Sequence, residues 1–259
     1  MSLHDLRLLS TKFGREVGEK ISDILAFWIS GSLARGDFIF GVSDVDLELV
    51  VNSRPRKVST TDDMDELREL TARFRRKAID KGATTLHCFV KEKDDLQETF
   101  QSLDLALHAE TVLGRKPSEF FDLHRMKKNV GKLAMKTIQA YSKMGLLVLE
   151  NRQPDGVESL EDSIKLVMDT YFTPAPLRAA MTVMKAANFA LLGDGEWKKP
   201  AYVELFKKTF PRYRDFAEKL WEHRLDQNKL IEKGEEDVRS FLVECIKFTV
   251  KVEKLLSRN

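Results

Sequence analysis

A chain of 259 residues with 42% apolar and 32% charged side chains can bury one large core or two modest ones, and its composition is that of an ordinary soluble fold. The formal net charge of +2 is too small for a dedicated polyanion binder, so nucleic acid is not the expected partner. Cys88 and Cys245 lack metal-ligand spacing and offer no disulfide framework, and no stretch approaches membrane-spanning length. A cytoplasmic protein with no membrane partner is expected.

Leu3, Leu6, Leu9, Phe13, Val17, Ile21 and Ile24 recur at intervals of three and four, which predicts an amphipathic helix covering one face of a sheet. The apolar run from Ile24 to Ile29 then reads as a buried strand that stops at Ser30-Gly31. Ser32 to Arg35 fits about one helical turn. Such a turn aims backbone N–H groups and the hydroxyl of Ser32, expected at the surface, toward one point that suits a phosphate.

Ser43-Asp44-Val45-Asp46-Leu47-Glu48-Leu49 opens a second strand. Alternation sets Asp44, Asp46 and Glu48 on one face and Val45, Leu47 and Leu49 on the other. Carboxylates at i and i+2 lie roughly 6.5 to 7 Å apart along a strand, near enough to converge on hard cations. Mg²⁺ takes a few carboxylates together with waters and substrate phosphates. Two such ions about 3.5 to 4 Å apart stabilise both the attacking and the leaving oxygen of a phosphoryl displacement. Taken singly, a Gly-Ser turn or a charged strand start is ordinary structure; in this order and context they read as a phosphate site facing a metal site.

The segment from Gly31 to Asp46 resembles the GS…DxD signature of the nucleotidyltransferase superfamily, in the form GSxARG…SDxDL found in minimal and aminoglycoside nucleotidyltransferases. The likeness is specific over about residues 20 to 52. It implies a mixed α/β (α+β) sheet flanked by helices. It also implies transfer of a nucleoside monophosphate, AMP in most members, from a Mg²⁺-bound nucleoside triphosphate, ATP foremost, to a hydroxyl, with release of pyrophosphate. By this resemblance Gly31, Ser32 and Arg35 hold the triphosphate and Asp44 and Asp46 hold the metal. The acceptor would be a small molecule or a protein.

A polar linker, Asn52 to Lys57, precedes Asp63-x-x-Glu66, which can cap a helix carrying Leu67, Leu70, Phe74 and Ala78. Lys81-Gly82 ends that helix, and Thr84 to Val90 alternates as a strand. Many active members of the resembled family carry a third carboxylate on this strand. Here its open face bears Thr85 and His87, and His87 can accept a proton or simply sit half-buried in the sheet. Asp104 is the candidate third catalytic residue beside Asp44 and Asp46, if Leu103 to Leu107 forms a strand with its acid turned toward the site. Phe100, Leu103, Leu107 and Val112 also fit helical spacing, so both readings stay open.

From Pro117 onward the pattern is helical, which predicts two domains, an α/β unit over 1–116 and a helical bundle over 117–259. Arg125, Lys128, Lys132 and Lys136 make a basic stripe, read as a solvated face or as phosphate neutralisation. The last helix carries Val238, Phe241, Leu242, Cys245, Phe248, Val252 and Leu255 as bundle core. The layout resembles that of the kanamycin nucleotidyltransferase family, and a homodimer is compatible with it. Two function classes follow: a Mg²⁺-dependent nucleotidyltransferase, or a non-catalytic, antitoxin-like nucleotide-binding module that kept Gly31, Ser32, Asp44 and Asp46 without the third acid.

Overall fold

In the computed structural model, Ser2 opens the first helix, α1 (Leu3–Lys20), through a reciprocal cap: its hydroxyl accepts the Asp5 N–H at 3.2 Å, and Asp5 Oδ2 accepts the Ser2 N–H at 2.9 Å. The structure describes residues 2–52, 61–170, 174–226 and 228–258. The linker at 53–57 and the capping side chain of Asp63 lie outside the described residues. Two compact units divide the chain, Met1–Lys128 and Asn129–Asn259.

The first unit holds β1 (Ile24–Ser30), α2 (Gly31–Arg35), β2 (Val45–Val51), α3 (Thr61–Asp80), β3 (Leu86–Glu92), α4 (Phe100–His108), β4 (Glu110–Gly114) and α5 (Leu123–Lys128). Its sheet has the order β3-β2-β1-β4. β1 pairs antiparallel with β2 and β4, and β2 pairs parallel with β3 across the α3 crossover. One sheet face, Phe27, Ile29, Val45, Leu47, Leu49 and Leu86, packs with Leu6, Leu9, Phe13 and Val17 of α1 and Leu67, Leu70, Phe74 and Ala78 of α3. Phe13 meets Phe27 edge-on at 5.7 Å between ring centres, and Phe74 at 4.9 Å. Gly14 lets α1 approach this closely, because a Cβ there would strike the Phe27 ring.

One open reading closes here and one boundary moves. Leu103 to Leu107 belongs to helix α4, so Asp104 does not stand on a strand. The Thr99 hydroxyl accepts the Ser102 N–H and starts that helix, a local cap that settles a run whose apolar spacing allowed either form. The strand that does form is β4, five residues that include Val112, a residue whose spacing from Phe100, Leu103 and Leu107 also fits a helix. Residues 117–128 cluster with the first unit, so the division falls after Lys128 rather than after 116; α4 packs on the 3₁₀ turn Pro117–Glu119 and on α5.

The second unit is entirely helical among its described residues: α6 (Val130–Leu149), α7 (Leu160–Thr170), α8 (Ala175–Leu192), α9 (Lys199–Thr209), α10 (Arg214–Leu225), α11 (Asn228–Ile231) and α12 (Glu235–Leu256). α6, α8 and α12 pack on one another, and Ala134, Ile138, Ala180, Met184, Leu242 and Cys245 on these helices are buried. Small residues permit the close approach; a Cβ on Gly145 would meet Ile246. The chain as a whole is therefore a mixed α/β protein with a four-stranded sheet and a helical C-terminal part. Among the described residues no helix is long and apolar enough to cross a membrane. Both thiols are inert in character: burial pushes Cys88 up to about 12 and Cys245 higher still.

His223 on α10 is 4% exposed, lies edge-on to Phe241, and its Nδ1 has no hydrogen-bond partner among the described residues. Burial, reinforced by Lys233, Lys219 and Lys229, lowers its pKa. The folded state then binds this proton less readily than the unfolded chain. Its contribution is fully present above the unfolded value near 6.5 and is lost as pH falls below it. Urea titrations between pH 7.5 and 5 should show wild-type stability falling relative to His223→Leu as the pH drops; parallel curves for the two proteins would contradict this reading.

Candidate functional site

Gly31 ends β1 and begins α2 with φ of +64°, a conformation only glycine takes without strain. A Cβ at this position would run into Asp46 Oδ2, so the turn and the second acid of the next strand touch through a gap that only a hydrogen fits. The strand register sets up the encounter, since Ser30 pairs with Asp46 and the Ser30 hydroxyl donates to the Asp46 carbonyl at 3.3 Å. The two halves of the sequence pattern are thus one place in the fold.

Asp44 sits immediately before β2, and its carboxylate accepts a hydrogen bond from the Thr84 hydroxyl. Its other oxygen lies 3.9 Å from His87 Nε2. His87 is opposite Asp46 in the parallel register of β2 and β3, so Asp44, Asp46 and His87 share one side of the sheet. The loop between α2 and β2 is clamped to the start of β3: Gly41 N–H donates to Gly82 O, Thr84 N–H to Ser43 O, and Val45 N–H to Thr85 O. Backbone pairing therefore fixes Asp44 on both sides.

Glu48 continues the acidic face, but it is 8% exposed and its Oε2 lies 2.8 Å from Lys91 Nζ. Burial raises its pKa, with Lys91 and the Ser30 hydroxyl working against that rise. It is an inward charge neutralised by the neighbouring strand, whereas Asp44 and Asp46 are partly exposed.

α2 is held by side chains of α1 and α4. Arg7 of α1 donates to the Leu33 carbonyl at 3.0 Å and pairs with Glu110 of β4 at 2.9 Å. Gly36, at φ of +75°, closes the helix. Arg35, expected at the phosphates, instead places Nη1 2.9 Å from Asp104 Oδ2 and Nε 3.3 Å from Asp37 Oδ1. All three side chains are largely buried, at 9%, 13% and 3% exposure for Arg35, Asp104 and Asp37. Asp104 therefore comes to the site's edge on α4, bound to the guanidinium that ends the turn.

Ser32 also departs from expectation: it is 4% exposed, so its hydroxyl is held inside rather than presented at the surface. The first backbone N–H groups of α2 are further donors that a helix start can offer an anion. Arg125, Lys128, Lys132 and Lys136 are each exposed, and Arg125 pairs with Glu98 at 2.7 Å. Thr84 and Lys91 were not singled out in the sequence; the parallel starts of Ser43-Asp44 and Thr84-Thr85 are the signal that links the first of them to the acids.

Among the described residues no group of three or more His, Cys, Asp or Glu side chains is gathered as a metal cage. Two partly exposed carboxylates, one oriented by Thr84 and one against the Gly31 turn, fit a hard cation that draws its remaining ligands from water and phosphate. In comparisons with known proteins, no family model and no curated protein matches this chain.

Two outcomes test these assignments. Removing one partner of a buried ion pair typically costs about 3 to 5 kcal/mol, so Asp104→Ala should lower the unfolding free energy of the first unit by that order in urea denaturation. A change under about 1 kcal/mol would mean that the Arg35 cluster is dispensable. Glu48, with its folded-state pKa raised, contributes most below its unfolded value near 4.5 and loses that contribution as pH rises through the folded value. Glu48→Gln should therefore gain stability relative to wild type as pH is taken from 4.5 to 7, and a constant difference would contradict the sign.

Proposed function

We propose that this protein is a Mg²⁺-dependent nucleotidyltransferase, with a nucleotidyltransferase-like fold in its first unit and the Gly31 turn, Asp44 and Asp46 as its reaction centre. The observation that supports this most is the contact between Gly31 and Asp46, in which a backbone turn suited to phosphate and a carboxylate suited to a cation meet with no side chain between them. Asp44 and Asp46 would hold the cation, and the N–H groups of the turn would receive the triphosphate. Mg²⁺ in such a site supplies charge neutralisation for the phosphates.

In the reaction, the acceptor's hydroxyl oxygen forms a bond to the α-phosphorus as the bond from that phosphorus to the bridging oxygen of the β-phosphate breaks. Pyrophosphate leaves with that electron pair. The hydroxyl proton passes to a base on the protein, and His87 is the residue that lies on the acid face of β3 opposite Asp46. Thr84 donates a hydrogen bond to Asp44, which spares the site part of the cost of ordering that carboxylate. ATP is the expected donor, and the acceptor is a hydroxyl on a small molecule or a protein.

A second reading has its own support. His87 occupies the strand where many active members of the resembled family carry a third acid, and the carboxylate of Asp104 is engaged with Arg35 on a helix. On that basis a nucleotide-binding module without turnover is the alternative. Incubation with Mg²⁺ and α-labelled nucleoside triphosphates, with and without cell extract, separates the two: label in a small molecule or protein indicates transfer, and saturable binding without transfer indicates the module.

If the protein transfers, Asp44→Asn and Asp46→Asn should each lower turnover by about a hundredfold or more, since the cation contributes several kcal/mol and each ~1.4 kcal/mol is tenfold in rate. His87→Gln should cost about 10² to 10⁴, the usual range for a lost general base. Full activity in both aspartate variants would remove the assignment.

A further inference from the structure

Phe89, at the middle of β3, is 45% exposed, and its ring stacks on His87 with centres 5.7 Å apart and planes 24° from parallel. β3 is the edge of the sheet, where exposed side chains are usually charged or polar to discourage pairing. Alternation puts residues 87, 89 and 91 on one face, and two contacts identify it: His87 faces Asp44 and Lys91 faces Glu48. Phe89 therefore opens to solvent on the same side of the sheet as the acid pair.

Crossing the sheet from β1 through β2 to β3, the acid face presents the Gly31 turn, then Asp46 with Asp44, then His87 with Phe89. This order has a direction. In a displacement at phosphorus the entering and leaving oxygens lie roughly in line on opposite sides. With the leaving pyrophosphate at the Gly31 turn, the acceptor oxygen must approach from the β3 side. What it meets there is a ring stack. Phe89 offers a π face and no hydrogen-bonding atom, which suits an offset-stacked flat ring rather than the hydroxyl-lined edge of a sugar.

We propose that His87 and Phe89 form the acceptor wall of the site, and that the acceptor hydroxyl is phenolic, carried on an aromatic ring that lies on Phe89. The inference rests on the nucleotidyl-transfer reading above. A free phenol and a protein tyrosine share this chemistry, and the test distinguishes them.

The full-length protein is given Mg²⁺ and α-labelled ATP with N-acetyltyrosinamide, a tyrosine-containing peptide, N-acetylserinamide or methyl glucoside. Label is expected on the tyrosine probes and not on the other two; preference for the peptide over the amide indicates a protein acceptor, and equal use indicates a small phenol. Phe89→Ala should raise KM for the tyrosine probe about tenfold or more, with kcat at saturation little changed. The Kd for Mg²⁺ and a non-hydrolysable ATP analogue should be unchanged, and Phe89→Trp should restore the wild-type KM. Weakened analogue binding in Phe89→Ala would assign the ring to the nucleobase and overturn the inference. Labelling of the serine or glucoside probe equal to that of tyrosine would also overturn it. If analogue and Mg²⁺ bind but nothing is labelled, ligand-observed NMR of N-acetyltyrosinamide on the loaded protein decides: Phe89-dependent binding supports the wall, and no binding overturns it. Failure of the wild type to bind analogue and Mg²⁺ at all is instead the failure of the underlying reading.

Discussion

The geometry of the candidate site depends on one missing atom. Gly31 has no Cβ, and the space where one would stand is taken by the carboxylate of Asp46. Its positive φ turns the chain out of β1 into α2 beside the acid strand. Any other residue would strain the backbone and push Asp46 away. The antiparallel pairing of Ser30 with Asp46 makes this contact a consequence of sheet register, not of a mobile loop.

Acids on a sheet face are costly unless each is wet, paired or neutralised, and the molecule treats its acids differently. Glu48 is buried and answered by Lys91 from the neighbouring strand. Asp37 and Asp104 are buried and answered by Arg35, which ties the end of α2 to α4. Asp44 and Asp46 keep partial exposure, and the groups nearest Asp44 are a hydroxyl and an imidazole. The proposed cation site rests on these two partly exposed carboxylates.

The sequence made the local part of this legible. Spacing of three and four in α1, the apolar run of β1 and the alternation of β2 and β3 each follow from residues adjacent in the chain, and the core they form is the expected one. What escaped was non-local. Arg35 and Asp104 are 69 residues apart, and no pattern near either reveals that one holds the other. β4 is five residues long and gains its identity from pairing with β1, while its own spacing is equally helical. Ser32 reads as a surface hydroxyl because Gly-Ser turns usually are at the surface, yet here α2 packs against α1, α4, β1 and β2 and Ser32 is buried. Phe89 reads as one more strand residue, and its exposure and its stack on His87 follow from the position of β3 at the sheet edge.

The central claim is that the Gly31 turn and the Asp44–Asp46 pair hold a cation and a triphosphate as one unit. Electron paramagnetic resonance of Mn²⁺, used in place of Mg²⁺, tests it directly. The account predicts that the free Mn²⁺ signal falls strongly only when the protein and a non-hydrolysable ATP analogue are both present, and that Asp46→Asn abolishes the effect. A signal that protein leaves unchanged in the presence of the analogue, or an equal fall with Asp46→Asn, would contradict it.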